Sequence, residues 1–157
     1  MYLKQIKEMG TGQSIISNSS IRKINFEDMQ YCIKNCSDDA NIIINTLSKD
    51  KQGCLIFKTR TIEEEEGLLN RYLHNNIGVR IIVYGENASD ETIVEKYRQL
   101  AGLGFNHVYI YPGGLFEWLL LQDIYGEEPF PTMGHEMDIL KYKGKRILAS
   151  LMIGGSP

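Results

Sequence analysis

Few side chains in this chain are suited to covalent or metal chemistry, and their spacing narrows the choices. The cysteines are Cys32, Cys36 and Cys54, and the histidines are His74, His107 and His135. Cys32 and Cys36 stand four apart, on one predicted helix. A structural zinc site needs four ligands, and no second pair stands at ligand spacing. The two thiols therefore read as small buried apolar residues. The histidines make no H-x-E or HExxH pattern, so neither metal nor cofactor is expected. Four successive glutamates, Glu63–Glu66, follow Thr61. Thr61 and Glu64 make a capping box, and carboxylates in a first turn complement the helix dipole. That run reads as a solvated helix start, not a cation site. What remains is the turn Gly85-Glu86-Asn87-Ala88-Ser89-Asp90-Glu91.

The flanking residues show what would hold that turn. Val79-Arg80-Ile81-Ile82-Val83-Tyr84 is rich in β-branched types and too short for a helix. It predicts a strand buried on both faces. Beyond the turn, Ile93, Val94, Tyr97, Leu100 and Ala101 fall at helical spacing. The helix is predicted to stop near Gly102 and Gly104, and a second apolar run, His107–Tyr111, leads into Pro112-Gly113-Gly114. Strand, turn, helix and strand make a parallel βαβ unit. Ligands of such units sit at the carboxyl ends of strands and the amino ends of the following helices. Val79 to Trp118 is thus the predicted frame, and residues 85–91 are the predicted site.

The rest of the chain supplies further layers. Ile21–Ile24 predicts a short edge strand. Asn25 is a good N-cap, followed by Phe26, Met29, Ile33 and Cys36 on one helical face. Asn41–Asn45 and Cys54–Phe57 predict strands, Leu68, Leu69, Tyr72 and Leu73 a buried helical stripe, and Leu115–Leu121 an apolar helix. The expected class is α/β, with a central, mostly parallel sheet of about five strands and helices on both faces. Residues 1–20 read as a flexible polar leader, 21–132 as the folded domain and 133–157 as a basic, apolar tail. From Ile139 onward the tail carries Lys141, Lys143, Lys145 and Arg146 and no acidic residue. With Leu148 and Leu151 these are the candidate contacts to a partner, should the tail dock on one and not on its own domain.

Bulk properties exclude several classes. A length of 157 residues suits one domain with short extensions. A net charge of −3 supplies no global field to attract nucleic acid. No apolar run is long enough to span a membrane, and the first residues lack the apolar core of a signal peptide. An odd, sparse set of cysteines predicts reduced thiols in a cytoplasmic compartment. Met9-Gly10-Thr11-Gly12-Gln13-Ser14 fits an N-myristoylation pattern that acts at Gly10 only if Met9 begins the chain.

Four stretches carry a family likeness: Ile24-Asn25-Phe26-Glu27-Asp28-Met29, Gln52-Gly53-Cys54-Leu55-Ile56, Ile81-Ile82-Val83-Tyr84, and the series Leu103-Gly104-Phe105, Val108-Tyr109, Tyr111, Gly113-Gly114-Leu115 and Trp118. With these residues the chain, from about Ile21 to Thr132, resembles a rhodanese-like domain of the sulfurtransferase and cell-cycle-phosphatase superfamily. The resemblance implies a nucleophilic cysteine directly after the Val-Tyr strand, cradled by backbone N–H groups. That position is Gly85, which has no side chain to attack with. The family's Asp-x-Arg after its second strand is replaced by Asn45-Thr46-Leu47, and its Gly-His pair by Gln52-Gly53.

Charge in the turn points the same way. Glu86, Asp90 and Glu91 lie there with no Lys or Arg. A unit charge about 6 Å from a bound anion costs roughly 2–3 kcal/mol at an effective dielectric near 20. Asp90 and Glu91 also stand where the helix begins, in the place an anion would use. The expectation is a catalytically inactive member that serves as a binding, regulatory or assembly module, with a protein partner or self-association. The alternative is a sulfurtransferase or phosphatase relative that uses Cys54 or Ser89, and a third is a binder of a neutral or cationic small ligand. Gly113 to Thr132 also resembles rhodanese-like proteins of protists, algae and their large DNA viruses. That likeness implies a virion or other large assembly as a setting.

Overall fold

Capping chemistry starts the first two helices. The Asn25 side chain accepts the Asp28 N–H at 3.0 Å, and Asp28 accepts the Asn25 N–H at 3.2 Å. Thr61 and Glu64 do the same at 3.2 and 3.1 Å. A cap of this kind stabilises a helix by about 1 kcal/mol. The computed structural model describes residues 20–37 and 39–149. Residues 1–19 of the predicted leader, with the acylation pattern at Gly10, lie outside the described residues, as does Leu151.

The elements run α1 (Phe26–Asn35), β1 (Asn41–Asn45), a 3-10 turn (Lys49–Lys51), β2 (Leu55–Ile56), α2 (Ile62–Asn75), β3 (Arg80–Tyr84), α3 (Thr92–Gly102), β4 (His107–Tyr111), α4 (Gly114–Tyr125), β5 (Thr132–Met133) and a second 3-10 turn (Ile139–Tyr142). The three longer strands form a parallel sheet in the order β1-β3-β4. Their register aligns Asn41, Arg80 and His107 at one end and Asn45, Tyr84 and Tyr111 at the other. Side chains alternate across the sheet. Ile42, Ile44, Ile81, Val83, Val108 and Ile110 pack with Leu69 and Tyr72 of α2 and with Ile93, Tyr97 and Leu100 of α3. Ile43, Ile82, Tyr84 and Tyr111 pack with Met29, Cys32 and Ile33 of α1 and with Leu115, Trp118 and Leu119 of α4. Each fully buried large aliphatic contributes about 1.5–3 kcal/mol, so the β-branched runs are sufficient reason for the sheet to sit between two helical layers.

The α/β class and the parallel sheet are as expected, but the sheet has three strands and not about five. Asn25 begins α1 at once, which leaves the Ile21–Ile24 stretch a single bridge, Lys23 to Ile110, with bonds of 2.9 Å on either side. Of the predicted strand Cys54–Phe57, only Leu55–Ile56 is extended, and it pairs antiparallel with β5 in a separate ribbon. Lys58 then turns the chain with a φ of 69°, and Thr59 makes one parallel bridge to Ile43. The glutamate run also differs from its reading. Glu65 is 8% exposed and pairs with Lys96, which ties α2 to α3. Among the described residues no helix is long and apolar enough to cross a membrane.

Candidate functional site

Strand β3 and helix α3 are joined by residues 85–91, at the carboxyl end of the sheet. Thr46, just past β1, donates its N–H to the Tyr84 carbonyl at 3.0 Å and so extends the pairing of the two strands to the mouth of the loop. Inside the loop, Asp90 is the central group. Its Oδ2 accepts the Glu86 N–H at 3.0 Å, and its Oδ1 accepts the Thr92 N–H at 3.0 Å and the Thr92 hydroxyl. The carboxylate thus holds a loop N–H and an N–H at the start of α3 together. Asn87 shapes the other half of the turn: its Oδ1 accepts the Ser89 N–H at 2.9 Å, and its carbonyl accepts the Asp90 N–H at 3.1 Å.

Gly85 is buried against this carboxylate. A Cβ built there would lie 2.9 Å from Asp90 Cγ and 3.0 Å from Ile93 Cγ2, and would overlap Asp90 Oδ2. The φ of Gly85 is not positive, so the backbone itself would accept a side chain. It is the neighbouring carboxylate that excludes one. Gly114 is constrained differently. It has a φ of 69°, and a Cβ there would lie 2.7 Å from the Gly85 carbonyl oxygen and 2.9 Å from Asn87 N. Its absence lets α4 dock on the loop, where the Leu115 and Phe116 N–H groups donate to the carbonyls of Gly85 and Glu86 at 2.9 and 2.8 Å.

Two partners of the loop come from far along the chain. Lys51 Nζ pairs with Glu86 Oε1 at 2.6 Å, with both side chains about three-quarters buried. The turn has no cation of its own, so Lys51 corrects the picture of an uncompensated acidic loop. The Tyr142 carbonyl accepts the Asn87 amide at 3.0 Å, and the Tyr142 ring is 1% exposed in the core beside α4. Burial pushes the Tyr142 phenol up to about 12 and raises the phenols of Tyr84 and Tyr111 as well, the latter with help from Glu117. Tyr111 donates to Glu117 at 2.6 Å, and the Tyr84 hydroxyl accepts the Ile56 N–H at 3.1 Å beside Thr59. These are protonated, bonded groups.

The remaining candidates are dispersed. Cys54 is 1% exposed, and burial raises its thiol above the ordinary value, which disfavours a thiolate. Cys32 is also buried and raised, for the same leading cause, while Cys36 at the end of α1 is only half-buried and so departs from the buried pair expected. Ser89 is exposed, and its backbone N–H donates to Asn87 Oδ1. No group of three or more His, Cys, Asp or Glu among the described residues is arranged to hold a metal ion. In the tail, Lys141 pairs with Glu136 at 3.1 Å, and Lys143, Lys145, Arg146 and Leu148 are exposed.

With this geometry in hand, solved structures supply the comparison. A crystal structure of the Alr3790 protein from Anabaena sp. superposes with a TM-score of 0.53 at 22% identity, covering 75% of this chain and 97% of that one. The solution structure of the rhodanese-like domain of the same Anabaena protein covers 72% of this chain and 79% of its own, at 21% identity and a TM-score of 0.49. The fold is that of rhodanese-like domains. The Saccharomyces cerevisiae single-domain sulfurtransferase RDL2 shares this rhodanese-like frame at 15% identity and a TM-score of 0.50, covering 73% of this chain and 99% of its own. Neither a protein-family model nor a curated protein matches the sequence.

Proposed function

We propose that this rhodanese-like chain has no sulfur- or phosphate-transfer chemistry of its own and serves as a binding, regulatory or assembly module. One observation carries the reading. The Asp90 carboxylate fills the space that a side chain at Gly85 would need, and it already accepts the N–H groups of Glu86 and Thr92. An incoming anion would have to displace an internal one. Occupation is therefore a stronger barrier than repulsion, since Lys51 offsets the charge of Glu86. The partner on this reading is a protein or a second copy of the chain, in a cytoplasmic or virion-associated assembly. Ile147 and Leu148, 67% and 75% exposed beside Lys145 and Arg146, are the contacts it would use.

The likeness to a single-domain sulfurtransferase favours one second reading, an enzyme that uses Cys54 or Ser89. Both are badly placed for it. Cys54 is buried, and no described histidine bonds to Ser89. Incubation of the full chain with thiosulfate and cyanide separates the two readings. The expected result is no thiocyanate above buffer and no cysteine heavier by one sulfur atom in the intact mass. A persulfide on any cysteine, or turnover above background, sinks the non-catalytic reading.

A further inference from the structure

At the opposite end of the sheet the first residues of the three parallel strands, Asn41, Arg80 and His107, stand side by side. They line a pocket of about 580 Å³, closed on one side by Tyr31, Asn35 and Cys36 from the carboxyl end of α1. No aspartate or glutamate among the described residues lines it. Five residues of strand separate it from the loop at 85–91, roughly 15 Å at strand rise.

Two groups in this pocket have donors to spare. Asn41 is 8% exposed, and its Nδ2 has no hydrogen-bond partner among the described residues. The orientation of the amide is not arbitrary, because Arg80 Nη1 donates to Asn41 Oδ1 at 3.2 Å, and a guanidinium needs the oxygen there. The second group is Arg80 itself. Its Nη1 also lies 3.9 Å from Cys36 Sγ, and no ion pair among the described residues includes it. A buried donor such as the Asn41 amide is almost always satisfied, by protein, water or ligand. A full cationic charge without a carboxylate, beside an orphaned amide N–H, is the donor set of an anion site. The carboxyl end of α1 opposes this with a partial charge of about half an elementary charge. The guanidinium carries a whole one and does not deprotonate, so the sum stays positive.

We propose that this pocket binds a small oxyanion, a carboxylate or phosphate group taken by the Arg80 fork, with the Asn41 amide and His107 as further donors. The site is independent of the loop at 85–91 and of the reading that the loop is inactive. The test is a ¹H–¹⁵N titration of the full chain with inorganic phosphate and, separately, acetate, at ionic strength held constant with chloride. Saturable shifts of the Asn41 side-chain amide and the Arg80 Nε–H are expected, with residues 85–91 unmoved. Arg80→Gln, at an exposed strand start, should weaken binding by about tenfold or more, since it removes a bidentate charged donor. Should Arg80→Gln lose its dispersed spectrum, Arg80→Lys is read instead, and loss of the fork must still weaken binding. Shifts that chloride reproduces, that grow without saturating, or that survive loss of the guanidinium overturn the proposal.

Discussion

Placing a single methyl group at position 85 tests the account of the loop. In Gly85→Ala the new Cβ would sit 2.9 Å from Asp90 Cγ and overlap Oδ2, so the carboxylate must leave. Left in place, the overpacked carboxylate would cost about 1–3 kcal/mol. Moved aside, it gives up the bonds to the Glu86 and Thr92 N–H groups and with them a cap of α3, at about 0.5–2 kcal/mol, and the smaller of the two costs applies. Against this, alanine narrows the unfolded ensemble and returns about 0.4–1 kcal/mol. With Ile93 Cγ2 still 3.0 Å from the new Cβ, a net loss of about 1–2 kcal/mol is expected. With a urea slope of about 1–3 kcal/mol per molar, the unfolding midpoint should fall by roughly 0.5–1 M. The second arm is the cycle with Asp90→Ala. Alone, that change costs only the cap. In the double variant the Asp90 carboxylate is gone and Ile93 Cγ2, at 3.0 Å from the Cβ of residue 85, has only a few tenths of an ångström to yield, so the pair should cost less than the sum of the two single changes. The cycle should therefore show a favourable coupling of at least about 1 kcal/mol. An unchanged midpoint in Gly85→Ala, or strict additivity in the double variant, would refute the claim that Asp90 is what excludes a side chain at 85.

Two further outcomes follow from the buried groups around the site. The thiols of Cys32 and Cys54 are raised above 9.0 by burial, and the phenols of Tyr84, Tyr111 and Tyr142 above 10.0. Their unfolded forms lose protons first, so the stability these groups contribute is fully present below about pH 8.5 and is lost above it; urea midpoints that rise with pH above about 8.5 would contradict the burial described. Tyr142→Ala should cost about 3–5 kcal/mol in thermal unfolding, because the ring is 1% exposed, while Tyr142→Phe should cost much less. A neutral Tyr142→Ala would mean that the segment after Met133 does not pack on the core.

Much of the frame can be read locally. Past their polar first residues, the runs at 41–45, 80–84 and 107–111 place large apolar or aromatic side chains on both faces, so a sheet covered on both sides is their natural state. Asn25 with Asp28, and Thr61 with Glu64, announce their helices through side chains only three residues away. Local reading fails where partners are distant. Nothing near Glu86 points to Lys51, nothing near Glu65 points to Lys96, and nothing near Asn87 points to Tyr142. The two-residue strand Leu55–Ile56 is too short to show a period, and its antiparallel partner lies beyond five other elements of the chain. At the site, Asp90 two residues before Thr92 already suggests a helix start. What cannot be read is that its carboxylate reaches back over Gly85.

The docking of α4 onto the loop bears on how this protein can change by mutation. Gly114 admits the Gly85 carbonyl, Gly85 admits the Asp90 carboxylate, and Asp90 holds the amide of Glu86, whose own carbonyl is taken by Phe116. Each position is acceptable because of the state of the next. A reacting side chain introduced at 85 by a single substitution meets the carboxylate, and removing the carboxylate first strips the cap from α3. Neutral drift will therefore tend to alter residues 85, 90 and 114 together or not at all, and a route to loop chemistry begins with a loss of stability whichever of residues 85 and 90 changes first.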